Sequence, residues 1–108
     1  MERYTAFDTE VVGCIAKLLG CGAREAAYRA GGTPVYELRL PSRSLGVDVL
    51  VVLWPGLRRV DVRAGGWSLV FKRVDAIELY PGVEVIFRRA DPAGYLFVTV
   101  DGAASMCI

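Results

Sequence analysis

Ala23-Arg-Glu-Ala-Ala-Tyr-Arg-Ala30 is the stretch on which the fold class turns. Four of its eight residues are alanine, the best helix former, and Gly31-Gly32 follows where a helix would stop. It therefore reads as a short helix. Just upstream, Phe7, Val11, Ile15, Leu18 and Leu19 recur at three- and four-residue spacing, which predicts a helix over 6–20. Thr5 is its expected N-cap, with Asp8 three residues on, and Gly20 or Gly22 its expected end. Residues 1–32 thus form a helical hairpin on this reading.

Downstream of Pro34 the apolar pattern changes to period two. Strands are predicted over 35–40, 47–54, 57–64, 67–73, 76–80, 83–89 and 95–100. The segment Val47-Asp-Val-Leu-Val-Val-Leu-Trp54 is apolar on both faces except at Asp48, so it belongs at the centre of a sheet. Pro55-Gly56 and Pro81-Gly82 suit type II turns, Gly65-Gly66 a two-residue hairpin, and Asp91-Pro-Ala-Gly94 a four-residue loop. Links this short make neighbouring strands antiparallel. Between Arg73 and Asp75 the chain must bend with no Gly or Pro to help it. Leu53-Trp-Pro-Gly56 matches Leu79-Tyr-Pro-Gly82, suggesting an internal repeat of 53–71 in 79–98. The expected fold is a single α+β domain: an N-terminal helical hairpin on a curved antiparallel meander of six or seven strands, barrel-like or sandwich-like, with an apolar tail at 102–108.

Composition narrows the chemistry. Ala, Val, Ile, Leu, Met, Phe, Trp, Cys and Gly make up 65 of 108 residues, which excludes disorder. His, Asn and Gln are absent, and Arg outnumbers Lys 11 to 2. That bias fits a thermophile, and equally a GC-rich genome. Without His there is no Ser–His or Cys–His nucleophile pair and no usual zinc ligand set. Phosphate-loop motifs are missing too. The expectation is a protein that is not an enzyme, with no cofactor and no metal. Asp48 is the one carboxylate weighed as a base, against a simple ion pair with Arg59 or Arg63. The start shows no leader-like apolar core and no apolar run is long enough to span a bilayer, so a cytoplasmic protein is expected. Cys14 and Cys21 are too far apart for a disulfide within one helix, whereas Cys107 would reach either if the tail folds back.

Residues 15–29 resemble the helix-turn-helix of small DNA-binding regulators, with Ala16 at the small position, Gly20 at the turn, and Arg24 and Arg29 on the second helix. They depart from it because Gly31-Gly32 cuts the recognition helix to two turns and its alanines offer little to base edges. The resemblance implies DNA binding; the hairpin packed on a sheet is the reading preferred here.

Two surfaces remain. Arg39, Arg58, Arg59, Arg63, Lys72, Arg73, Arg88 and Arg89, with Trp54 and Trp67 nearby, define a candidate nucleic-acid face of basic and stacking groups. Interleaved Asp61, Asp75, Glu78 and Glu84 argue instead for cross-strand ion pairs. The apolar excess and the tail ending in Met106, Cys107 and Ile108 point to association, most simply as a homodimer. The leading expectation is a small cytosolic protein acting through protein association, and the alternative is a nucleic-acid accessory protein.

Overall fold

The computed structural model describes residues 1–107. It is mostly strand, with one helix and two sheets of five antiparallel strands. In chain order these are β1 (Glu2–Tyr4), α1 (Thr9–Leu19), β2 (Ala23–Ala30), β3 (Thr33–Ser42), β4 (Val47–Trp54), a 3₁₀ turn (Pro55–Leu57), β5 (Arg59–Ala64), β6 (Trp67–Phe71), β7 (Ala76–Tyr80), β8 (Glu84–Ala90), β9 (Ala93–Thr99) and β10 (Ala104–Cys107). One sheet has the order β2-β3-β4-β5-β6 and the other β1-β7-β8-β9-β10.

The helical hairpin on a single six- or seven-stranded meander is therefore overturned. Residues 23–30 are a strand, and 2–4 and 104–107 add two more. An eight-residue helix has little stability of its own. Pairing with β3 instead places residues 23–25 and 29–30 in a β-ladder and seats Ala26 against Val35 and Val52. Its alanine pattern never alternates, and the strand shows the misfit. Ala26, Ala27 and Tyr28 stand opposite the single residue Val35, because the register shifts between Glu25 and Arg29.

The helix that does form is shorter at its start than its periodicity suggests. Asp8, not Thr5, is the N-cap: its Oδ1 accepts the Val11 N–H at 3.0 Å. Gly20 closes the helix at φ 73°, as its position implied. Val11, Val12, Ile15, Ala16 and Leu19 are buried against the inner faces of both sheets. Those faces contribute Leu38, Leu40, Val49, Val51, Leu53, Val60, Val62 and Phe71 from one sheet and Ile77, Leu79, Val85, Phe87, Leu96 and Val98 from the other. β4 is central, and Val52 on its outer side is also buried.

The turns differ in one informative place. At Pro81-Gly82 the Val83 N–H reaches the Tyr80 carbonyl and Gly82 has φ 75°, the expected type II geometry. After Pro55-Gly56 the chain makes a 3₁₀ turn instead, and the left-handed residue is Arg58, at φ 48°. The anticipated bend at 73–75 is the passage from one sheet to the other, made with Arg73 at φ 60°.

Replacing Asp8 with Ala is expected to destabilise the protein by about 1 kcal/mol. Urea denaturation measures this; an unchanged midpoint would place the cap elsewhere.

Candidate functional site

Each sheet carries one buried carboxylate on its outer face, and each is held by two arginines. In β5, Arg59, Asp61 and Arg63 alternate outward, so the two long side chains lie over the acid between them. Arg59 grips Asp61 bidentately, at 2.7 and 2.9 Å, and Arg63 adds a contact at 3.2 Å. Asp61 is only 1% exposed. Hydrogen bonding to Asp61 raises the Arg59 pKa. The Arg59 guanidinium also sits 5.1 Å from the centre of the Trp54 ring, and Tyr28 packs on that ring at 5.6 Å. The Trp54 Nε1–H is buried with no partner among the described residues.

In the other sheet Glu78 accepts from Arg3 at 2.7 Å and Arg88 at 2.8 Å, with the Tyr80 hydroxyl at 3.4 Å. Arg88 lies 5.7 Å from the Tyr95 ring. Burial pushes the Glu78 carboxyl up, but Arg88 and Arg3 outweigh it and hold the group below the usual glutamate range. A carboxylate neutralised on two sides is a poor base. None of the three clefts described below is lined by Asp61 or Glu78.

Asp48 is exposed and pairs with Arg39 at 3.5 Å, not with Arg59 or Arg63. Register explains the change: β5 pairs with β4 only from Leu50 to Trp54 and stops short of Asp48. The ten residues of the predicted basic and aromatic face do not share one face. Arg39, Trp54, Arg59 and Arg63 lie on the outer side of the β2–β6 sheet. Arg88 projects from the outer side of the other sheet. Trp67 starts edge strand β6, 41% exposed. Arg58, Lys72, Arg73 and Arg89 gather around the passage from β6 to β7, where Arg89 Nη1 donates to the Lys72 carbonyl and Arg58 Nε to the Val74 carbonyl.

The tail pairs with its own chain: β10 runs antiparallel to β9, Ala104 opposite Val98 and Cys107 opposite Tyr95. Met106 packs against the core and Cys107 is exposed. Ile108 lies outside the described residues. Cys14, Cys21 and Cys107 are free thiols, and burial pushes the Cys21 thiol up.

Three of the clefts on the surface are lined by charged or thiol side chains. The first, of about 390 Å³, lies between Cys14, Lys17 and Leu18 of α1 and Leu79, Pro81 and Gly82, with Glu2 at its rim. Beside it the Tyr4 hydroxyl donates to Glu2 and meets Cys14 Sγ at 4.0 Å, and the Glu2 contact raises the Tyr4 pKa. The second is lined by Gly22, Arg24, Glu37, Arg39 and Leu50, and the third by Arg88, Arg89, Ala93, Gly94, Tyr95 and Cys107. Among the described residues no group of three or more His, Cys, Asp or Glu side chains is placed to hold a metal ion. No helix is long and apolar enough to cross a membrane. No protein-family model, no curated protein and no solved structure matches the chain.

Sequence reasoning passed over Arg3, Tyr28 and the burial of Glu78. The signal for Glu78 was present, as the lone charge in Ala76-Ile-Glu-Leu-Tyr80. Nothing local connects it to Arg3, 75 residues away.

Arg59→Ala should cost about 2 kcal/mol, since it strands a buried carboxylate. Arg63→Ala, with its single longer contact and a half-exposed side chain, should cost under about 1 kcal/mol. Urea denaturation ranks them, and equal losses would contradict the bidentate assignment. Because the folded pKa of Glu78 is depressed, its contribution is present above the unfolded glutamate value, about 4.3, and fades as pH falls through the folded one. The unfolding midpoint of Glu78→Gln should therefore change less between pH 7 and pH 3 than that of the wild type.

Proposed function

We propose that the protein is a non-enzymatic association module that pairs with a second copy of itself through the free edge of β6. The observation that carries this is the character of that edge. Trp67-Ser-Leu-Val-Phe71 has no charge and no proline, and exposes Trp67 at 41% and Val70 at 40%. Unguarded edges of this kind template strand addition. The edge at β1 is three residues long, and the edge at β2 carries Arg24, Glu25 and Arg29 and a bulge. Both are ordinary ways of blocking a neighbour. The β10 edge is uncharged but only four residues long.

Two β6 strands related by a two-fold axis run antiparallel, which is self-complementary. That arrangement keeps Lys72 and Arg73 of the two copies at opposite ends, so like charges stay apart. The free thiols suit a reducing, cytosolic compartment. Arginine-held carboxylates on both sheets suit a hot habitat. A nucleic-acid role for the arginine face of the β2–β6 sheet has less support, since Asp48 and Asp61 occupy Arg39, Arg59 and Arg63.

Sedimentation equilibrium at several concentrations tests the proposal. The wild type should be dimeric and Val70→Lys monomeric with an unchanged circular dichroism spectrum. Val70 is 40% exposed on an edge strand, so the monomer tolerates a lysine that extends into solvent. A wild type that stays monomeric throughout would sink the reading.

A further inference from the structure

Two non-glycine residues among those described have positive φ: Arg58 at 48° and Arg73 at 60°. They are neighbours in space, since the Arg58 carbonyl accepts the Val74 N–H at 2.9 Å. Glycine adopts this conformation without the steric penalty that a side chain brings. The chain uses glycine at seven other positive-φ positions, yet places arginine at both of these.

Structure accounts for one of the two. Arg58 donates through Nε to the Val74 carbonyl at 2.8 Å and through Nη2 to the Thr5 carbonyl at 2.7 Å. Arg73 is exposed, and its side chain makes no hydrogen bond or ion pair among the described residues. Its strain is therefore not offset by any contact of its own, and such positions tend to serve function.

The surroundings say what that function binds. Lys72 is exposed and likewise forms no ion pair. Arg89 donates to the Pro92 carbonyl at 2.7 Å and the Lys72 carbonyl at 3.4 Å, and lies 4.7 Å from the centre of the Phe71 ring. Carbonyl and ring contacts fix Arg58 and Arg89 in place without cancelling their charge. Each guanidinium has five N–H donors and spends two, so three remain. Asp75, in the same passage, is engaged by the Ala90 N–H at 2.6 Å, and Asp91 lies in the adjoining hairpin loop. Four cations against two carboxylates leave a local excess of positive charge. Arg39, Arg59, Arg63 and Arg88, by contrast, are each paired with an acid.

We infer that Arg58, Lys72, Arg73 and Arg89 form a binding site for an oligophosphate at the passage from β6 to β7. Planar guanidiniums with free N–H pairs match phosphate oxygens, and a run of phosphates spans several cations where one would not. The phosphates belong either to a free ligand or to a nucleic-acid backbone. The site adjoins the β6 edge, but none of its four cations belongs to β6, so the Val70→Lys variant tests self-association without removing a residue of the site.

The test is calorimetric titration with tripolyphosphate, and anisotropy of labelled oligo-dT as a separate arm, both in about 20 mM salt so that screening is weak. Tripolyphosphate should bind. Arg73→Gly should lower its affinity about tenfold while the melting temperature stays level or rises, since glycine relieves the strain. Lys72→Ser should weaken binding in the same direction, and Arg39→Ser should not. Tighter binding of oligo-dT than of tripolyphosphate assigns the phosphates to nucleic acid and also supports the site. If neither probe binds, or Arg73→Gly binds as the wild type does, the inference fails.

Discussion

The whole molecule depends on one short passage. Between Phe71 and Ala76 the chain leaves one sheet and enters the other, and it must do so without opening the core between them. Arg58 holds that passage from the side. Its carbonyl and Nε bracket Val74, and its Nη2 reaches Thr5, which follows β1. A single residue thus ties the end of the β4–β5 connection, the sheet crossover and the N-terminal segment together. Val74 is buried as a consequence, and Asp75 continues the β7–β8 ladder through its N–H to the Arg88 carbonyl.

With the passage fixed, the two inner faces close on each other and on α1, and the outer faces must solve a different problem. Each has a carboxylate that its strand neighbours bury. Arg59 and Arg63 meet Asp61 from the same strand, while Arg3 and Arg88 meet Glu78 from the strands on either side. Both arrangements compensate the buried charge of a carboxylate with two guanidiniums. Among the described residues the four cations around the passage, Arg58, Lys72, Arg73 and Arg89, have no such acid partner. Part of the molecule's unpaired charge therefore sits on the residues that shape the fold.

Much of this was legible in the sequence, and unevenly so. The segment 47–54 has one reading, because a run of apolar β-branched residues between turns serves only as a central strand. Likewise Ile77 and Leu79 locate 76–80, and the lack of Gly or Pro marked 73–75 as an awkward bend. Residues 23–30 misled for a physical reason: alanine favours a helix locally, but the edge of β3 offers a partner that local preference cannot represent. The Pro55-Gly56 turn looked like Pro81-Gly82, yet the first runs on as a 3₁₀ turn to a left-handed Arg58. Of the candidate face, the residue types were readable but their distribution over two opposed sheets was not. That distribution follows from which strand pairs with which, and Arg3 with Glu78 is a contact between the chain's start and its third quarter.

The central claim is that the side chain of Arg58, and not merely the shape of its backbone, holds the two sheets in place. Stability of Arg58→Gly by urea denaturation tests it most directly, because glycine removes the side-chain bonds and relieves the left-handed strain at once. Loss of the two charge-assisted bonds should outweigh that relief, leaving the variant about 1–2 kcal/mol less stable. A variant as stable as the wild type, or more so, would show that the backbone turn alone sets the passage and would contradict this account.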